Sequence, residues 1–272
     1  MAWLDLTQAE RDAAYDNAAA VPASAGRIAA WAAASADLRA RRPEHLDMSY
    51  GPRPRNKWDL YPGKPGAPCL VFIHGGYWLR NSRETLACMA EGVLAHGWSA
   101  ALPGYTLAPD ATLAEIVTEI GTALGWLKDH RHGYGIDGPI ILSGWSAGGH
   151  LAAMMLAHPV VTAGLAISGI FDIEPLRGTA YNNTLRLTAI DAQMLSPMRL
   201  PMVRKPLTLA YGTNELPALV ANSCAFHALR AGSNAKGPLL PLAGHDHFSI
   251  LEELRAPDGK LTQELCAAGQ AG

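Results

Sequence analysis

The sequence lacks what would mark a metal site, a nucleic-acid surface or a membrane segment. It has four cysteines in 272 residues, Cys69, Cys88, Cys224 and Cys266, too far apart for metal-type spacing. In a chain this large they are expected as free thiols, three of them in apolar segments. Neither sign of charge dominates. Lys and Arg total 22 against 24 Asp and Glu, a net charge of −2, so neither nucleic acid nor an anionic membrane surface is called for as a partner. No apolar run approaches the ~18 residues of a membrane span. Met1-Ala2-Trp3-Leu4-Asp5, then Glu10, Arg11 and Asp12, lacks the basic-then-apolar layout of a secretory signal. Internal repeats and linkers are missing too. What is present, 49% hydrophobic and 17% charged residues, describes a globular chain with a large core. One domain over 1–272, soluble and cytoplasmic, is the expectation.

Strand and helix signals alternate. Residues 7 to 41 read as alanine-rich helix broken at Val21-Pro22-Ala23-Ser24, so 1–45 is expected as a helical extension over the core or the pocket mouth. Strands are expected at Lys57–Tyr61, Cys69–Ile73, Trp98–Leu102, Pro139–Leu142, Ala163–Ser168, Pro206–Tyr211 and Leu239–Leu242, the last with a proline suited to a sheet edge. Asn81 with Glu84 predicts a capped helix through Ala95, and Thr112 with Glu115 another through about Lys128. A third helix is expected from Leu216 to Ala231. The stretch from Phe171 to Lys205, irregular and rich in Pro, Met, Asn and Arg, is the candidate lid. The alternation implies βαβ crossovers: an α/β fold with a mostly parallel central sheet flanked by helices.

One stretch organises the rest. Gly144-Trp145-Ser146-Ala147-Gly148-Gly149-His150 follows an apolar strand and precedes a helical run. It is G-x-S-x-G in its strand–turn–helix context, which holds a serine on a sharp turn at the carboxyl edge of the sheet. Ser146 is the candidate nucleophile. An acyl-transfer serine needs N–H donors for the oxyanion. The Ala147 N–H is one, and His74-Gly75-Gly76-Tyr77-Trp78 after the earlier central strand supplies Gly76 and Tyr77 as the others. The plain alternative is an ordinary tight turn at Gly75-Gly76. His74 is expected to support the loop.

In such a sheet the base follows in a late loop. Gly244-His245-Asp246-His247-Phe248 lies there, and His247 is favoured over His245. His150, four residues past the serine, is expected as a packed residue. For the acid, Gly212-Thr213-Asn214-Glu215 offers Glu215, with Asp172 as runner-up and Asp246 third. Aromatics near these loops, Tyr77, Trp78, Tyr105, Trp145 and Phe171, are candidate pocket walls for an aromatic substrate, with packing under the elbow, of Trp145 especially, as the alternative.

These residues resemble a known family. HGGYW, GWSAGGH, SGIFDIEPL, the glutamate of GTNELP and GHDHFSIL are together similar to α/β-hydrolases of the kynurenine formamidase (arylformamidase) type, relatives of hormone-sensitive-lipase-type carboxylesterases. Trp3 to Thr7, Tyr15-Asp16-Asn17, Tyr50-Gly51, Trp58 to Tyr61, Tyr105 to Pro109 and Leu195-Ser196-Pro197 agree, so the likeness spans most of the chain. It departs at the acid, a glutamate where aspartate is common in hydrolases. The resemblance implies a Ser-Glu/Asp-His hydrolase acting on N-formyl-L-kynurenine, a related aryl formamide or a small ester, without metal or organic cofactor. A carboxylesterase of broad small-ester specificity and a non-catalytic binding scaffold are the alternatives. The expected partner is the small aromatic amide or ester itself, and a homodimer is compatible with the sequence.

Overall fold

In the computed structural model, which describes residues 5–270, the apolar runs line up as one sheet. Among the described residues its strands are β1 (Met48–Ser49), β2 (Lys57–Tyr61), β3 (Cys69–Ile73), β4 (Ser99–Pro103), β5 (Ile140–Trp145), β6 (Val161–Ile167), β7 (Leu207–Gly212) and β8 (Leu239–Leu242). Their order is β1-β2-β4-β3-β5-β6-β7-β8. The β1–β2 and β2–β4 pairs are antiparallel and the rest parallel. Every residue of β3 and β5 is buried, as central strands covered on both faces must be. β8, with Pro241, takes the edge as expected.

Helices α1 (Gln8–Ala13), α2 (Asn17–Ala20) and α3 (Ser24–Arg41) precede the sheet. Then come α4 (Glu91–Ala95), α5 (Leu113–His130), α6 (Ala147–Met154), α7 (Asn182–Leu185), α8 (Ala189–Met194), α9 (Pro217–Gly232), α10 (Glu252–Arg255) and α11 (Lys260–Gln270). The two-residue period of β3 divides the core: Cys69, Val71 and Ile73 join one apolar cluster, Leu70 and Phe72 the other. Ile116, Ile120 and Leu124 of α5, Leu151 of α6 and Phe226 of α9 fill the first. Trp31 and Leu38 of α3, Val93 of α4 and Leu261 and Leu265 of α11 fill the second. α3 is thus core on one face of the sheet, while Tyr15 joins the cluster on the other. Its first residues, 1–4, including Trp3 and Leu4 of the family-like start, lie outside the described residues.

Two local expectations need correction. The helix from Asn81 begins only as a 3-10 turn at Ala87–Ala90. Asn81 sits at φ 70°, outside the extended conformation an N-cap requires, and its Nδ2 donates to the Gly75 carbonyl at 3.2 Å. The amino-terminal helices break again at residues 14–16, where Tyr15 turns into the core. By contrast Thr112 and Glu115 form the reciprocal capping box foreseen for α5.

The stretch 171–205 folds into short turns and α7 and α8. It is laced to α1: Gln8 Nε2 and Arg11 Nε each donate to the Gly178 carbonyl at 3.0 Å. The Ala180 N–H donates to Asp12 Oδ1 at 2.6 Å. All four cysteines are free. Among the described residues no helix is long and apolar enough to cross a membrane.

Asp59 of β2 carries a carboxylate with no exposed surface. It is neutralised by Arg39 of α3 and by Arg83, whose Nε donates at 3.1 Å, and it accepts the Asp47 N–H at 3.1 Å. Removing one partner of a buried ion pair leaves the other charge uncompensated. Asp59→Ala is therefore expected to lower the unfolding free energy by about 3–5 kcal/mol, measured as a fall in the urea midpoint at unchanged slope.

Candidate active site

Ser146 occupies the tight reversal between β5 and α6, at φ 58°, ψ −118°. This is a left-handed backbone that a residue with a side chain adopts only under constraint. The constraint is proximity to β3: a Cβ on Gly148 would lie 2.0 Å from the Ile73 carbonyl oxygen. Glycine lets α6 start against the end of β3, and the chain between must turn sharply. The turn is fixed by Ser146 N–H on the Ile167 carbonyl (2.8 Å) and His150 N–H on the Ser146 carbonyl (3.0 Å). Ala147 opens α6, so its N–H has no intrahelical acceptor, and it meets none elsewhere among the described residues.

The loop after β3 flanks the serine. Gly76, Tyr77 and Trp78 have φ of 114°, 53° and 59° in succession, and the Leu79 and Arg80 N–H groups close the turn on the Gly76 carbonyl at 3.0 and 3.1 Å. The Gly76 and Tyr77 N–H groups are left without acceptors among the described residues. Side chains brace the loop. Tyr105 Oη donates to the His74 carbonyl at 2.9 Å, and its ring stacks on His74 at 4.2 Å. Tyr77 Oη donates to the Tyr15 carbonyl at 2.6 Å. His74 Nδ1 lies 3.0 Å from the Gly75 carbonyl, to which it can only donate. His74 supports the loop, as the sequence suggested.

Glu215, just past β7, meets His247. Its Oε2 lies 3.0 Å from His247 Nδ1. Its Oε1 accepts the Ser168 hydroxyl and the Gly212 N–H, each at 2.6 Å. Both residues are buried. The His247 carbonyl accepts Trp145 Nε1–H at 2.8 Å, which ties the histidine loop to the elbow. The alternatives are engaged elsewhere. Asp172 pairs with Arg199 through both oxygens at 3.1 Å. Asp246 caps its own turn by accepting the Phe248 and Ser249 N–H groups at 2.8 and 2.7 Å. His245 faces Glu253 at 3.3 Å. The buried His150 donates Nε2–H to the Leu195 carbonyl at 2.6 Å, a packing role as expected.

Ser146 and His247 line one cavity of about 50 Å³ with Gly76, Tyr77, Trp145 and Phe248. Of the five aromatic walls expected, the cavity uses Tyr77 and Trp145. Trp78, Tyr105 and Phe171 lie outside it, each fully buried. Trp78 meets His150 edge-on at 5.0 Å, Tyr105 is spent on His74, and Phe171 stacks on Phe226 at 4.5 Å. Tyr181 adds a further aromatic surface, its ring stacked on Tyr77 at 4.1 Å. Sequence reasoning did not single out Arg80, Tyr181, Ile28 or Asn17 as lining residues. Tyr181 lies in the expected lid, and Asn17 within a family-like tripeptide, so position alone signalled them. No cluster of three His, Cys, Asp or Glu side chains suited to a metal occurs among the described residues.

A family model described as BD-FAE matches residues 59–163. The kynurenine formamidase of Danio rerio is 26% identical over 238 residues, covering 81% of this chain and 80% of that one. That of Salmo salar is 28% identical over 239 residues with the same coverage. The crystal structure of a candidate thioesterase from Silicibacter sp. tm1040 is 32% identical, with a TM-score of 0.81 over 93% of this chain and 98% of that one. The chain belongs to the kynurenine formamidase-like α/β-hydrolases.

Two histidines beside the site set a pH response. Burial lowers His74 to about 3 and His150 to about 4, whereas in the unfolded chain both titrate near ~6.5. Between those limits the unfolded state binds up to two more protons, so stability is lost as pH falls below about 6.5. Urea unfolding from pH 8 to 4 is expected to show that fall, approaching about 2.7 kcal/mol per pH unit where both histidines contribute fully.

Proposed function

We propose that this hydrolase removes a small acyl group by way of Ser146, His247 and Glu215, and that its substrate is N-formyl-L-kynurenine or a related aryl formamide. The observation that carries the reading is the buried Glu215–His247 pair opening onto the same small cavity as the strained Ser146. His247 Nε2 takes the Ser146 proton as Oγ bonds to the formyl carbon. Glu215 holds the Nδ1 proton, fixing the tautomer and stabilising the imidazolium. The N–H groups of Gly76, Tyr77 and Ala147 receive the oxyanion. The C–N bond then breaks as His247 returns the proton to the leaving nitrogen. A water deprotonated by His247 then attacks the formyl-enzyme, and His247 hands that proton to Ser146 Oγ as the Oγ–carbon bond breaks and formate leaves. The residues of the chain suffice for every step.

The small acyl group fits the space. Tyr77, Trp145 and Phe248 crowd the cavity around Ser146, which suits a small acyl group such as formyl or acetyl better than a long chain. The Tyr77, Tyr181, Trp145 and Phe248 rings suit an aromatic leaving group. A second reading, a carboxylesterase for small esters, draws support from the likeness to a candidate thioesterase and uses the same machinery. Turnover of N-formylkynurenine against that of p-nitrophenyl acetate separates them. Fast ester cleavage with none of the formamide would favour the esterase.

Ser146→Ala and His247→Ala are each expected to lower kcat by at least about 1,000-fold, with His245→Ala close to the parent. An organophosphonate should label Ser146 in the folded protein. Failure to label would point to a non-catalytic scaffold, and loss of activity in the His245 variant alone would move the base.

A further inference from the structure

One buried polar group in the cavity has no part in these steps. Asn17, at the start of α2, lines the same cavity as Ser146 and His247 and is 4% exposed. A neighbouring hydroxyl fixes which end of its amide points where. Tyr77 Oη lies 2.6 Å from the Tyr15 carbonyl, which only accepts, so the phenol hydrogen is committed there. The phenol oxygen can then only accept, and its partner at 3.2 Å is Asn17 Nδ2. Asn17 Oδ1 consequently faces away from Tyr77. It is buried and has no donor among the described residues.

A carbonyl oxygen taken out of water without a donor is costly, so natural proteins pair such groups. Asn17 is not loosely placed. Tyr77 holds its nitrogen, and Asp16 beside it caps α2 by accepting the Ala19 N–H at 3.0 Å. Asn17 lines the cavity beside Ser146, so its unpaired carbonyl oxygen is a buried acceptor in the wall of the site. A formamide carries the matching donor: the scissile nitrogen has one hydrogen. An ester has an oxygen there, a second acceptor that would face Oδ1 lone pair to lone pair.

We propose that Asn17 Oδ1 accepts the scissile N–H of the substrate and makes the enzyme select aryl formamides over the corresponding esters. The proposal rests on Ser146 being the nucleophile. During the reaction the Oγ–carbon bond forms and the nitrogen becomes pyramidal. Its lone pair must turn toward the proton on His247, and its own hydrogen then points elsewhere. Asn17 holds that hydrogen through the step and transfers nothing. When the C–N bond breaks, the amine leaves with its original hydrogen and the one delivered by His247. A site built around a substrate N–H discriminates strongly against the analogue lacking it, since its acceptor would be left unpaired.

The test compares kcat/KM for 4-nitroformanilide and 4-nitrophenyl formate, which differ only in N–H against O, after subtracting uncatalysed hydrolysis. Asn17→Ala is expected to lower the amide-to-ester ratio about 10- to 100-fold. Asn17→Asp, which keeps an acceptor oxygen at the same reach, should restore part of that ratio. A ratio in Asn17→Ala equal to the parent's overturns the proposal, whether both rates fall together or neither moves. Equal loss would reduce Asn17 to a brace for Tyr77. Full activity in Ser146→Ala would instead refute the nucleophile, and this inference with it.

Discussion

The close approach of α6 to the end of β3 is the constraint on which the rest depends. β3 and β5 are parallel neighbours, with Ile73 paired to Gly144, so the chain leaves both strands at one edge of the sheet. The short distance from Gly148 to the Ile73 carbonyl then forces Ser146 into its left-handed turn, at a cost of about 1–3 kcal/mol. The same geometry exposes the Ala147 N–H and brings the loop at 74–78 alongside. The surrounding structure sustains the strain. Ser146 N–H bonds to β6, and Trp145, edge-on to Trp31 of α3 at 5.9 Å, ties the histidine loop down through its indole nitrogen. Ser146, the His247 loop and residues 74–78 are thus drawn together by the packing at the ends of two central strands.

Glu215, the proposed acid, shows how a departure from common hydrolase usage is absorbed. Glu215 follows β7 on a turn closed by its own N–H on the Gly212 carbonyl at 3.1 Å. From there the extra methylene lets the carboxylate fold back over the turn and meet the Gly212 N–H. Gly212 itself has no room for a side chain, since a Cβ would sit 2.2 Å from the His245 carbonyl. The carboxylate gathers three donors: Ser168 Oγ–H, Gly212 N–H and His247 Nδ1–H. A buried carboxylate is tolerable only when so satisfied. Ser168 reaches it from the end of β6 on a left-handed backbone of its own, at φ 52°. Asp172, four residues further along, is drawn off by Arg199.

This explains which parts of the molecule were legible in the sequence. Continuous apolar runs gave β3 and β5, and the order of motifs gave Ser146, Glu215 and His247, because local chemistry is written locally. The pairing of His247 with Glu215 followed from their loops leaving adjacent parallel strands, β7 and β8. The pocket walls were legible only in part: Tyr77 and Trp145 line the cavity, and three other expected aromatics do not. Trp78, Tyr105 and Phe171 lie close in sequence to site motifs, but a side chain one position along points to the opposite side of its strand or loop, and these three turn inward. The helix misread at Asn81 has a similar origin. Its capping pattern is real, yet Asn81 is committed by its left-handed backbone to bracing Gly75.

Tyr77 joins the two halves of this division. Its backbone N–H belongs to the loop proposed to hold the oxyanion, while its ring stacks on Tyr181 from the 171–205 stretch and its hydroxyl holds the amino-terminal segment at Tyr15 and Asn17. That segment is in turn bonded to residues 178 and 180 through α1. The two regions of weakest sequence signal therefore close on each other over the site and share one anchoring side chain. An α/β sheet can place a serine, a histidine and a carboxylate by itself. Selecting among acyl compounds requires contacts on the leaving group, and in the proposed reading these come from Asn17 and Tyr181, on chain remote in sequence from the elbow.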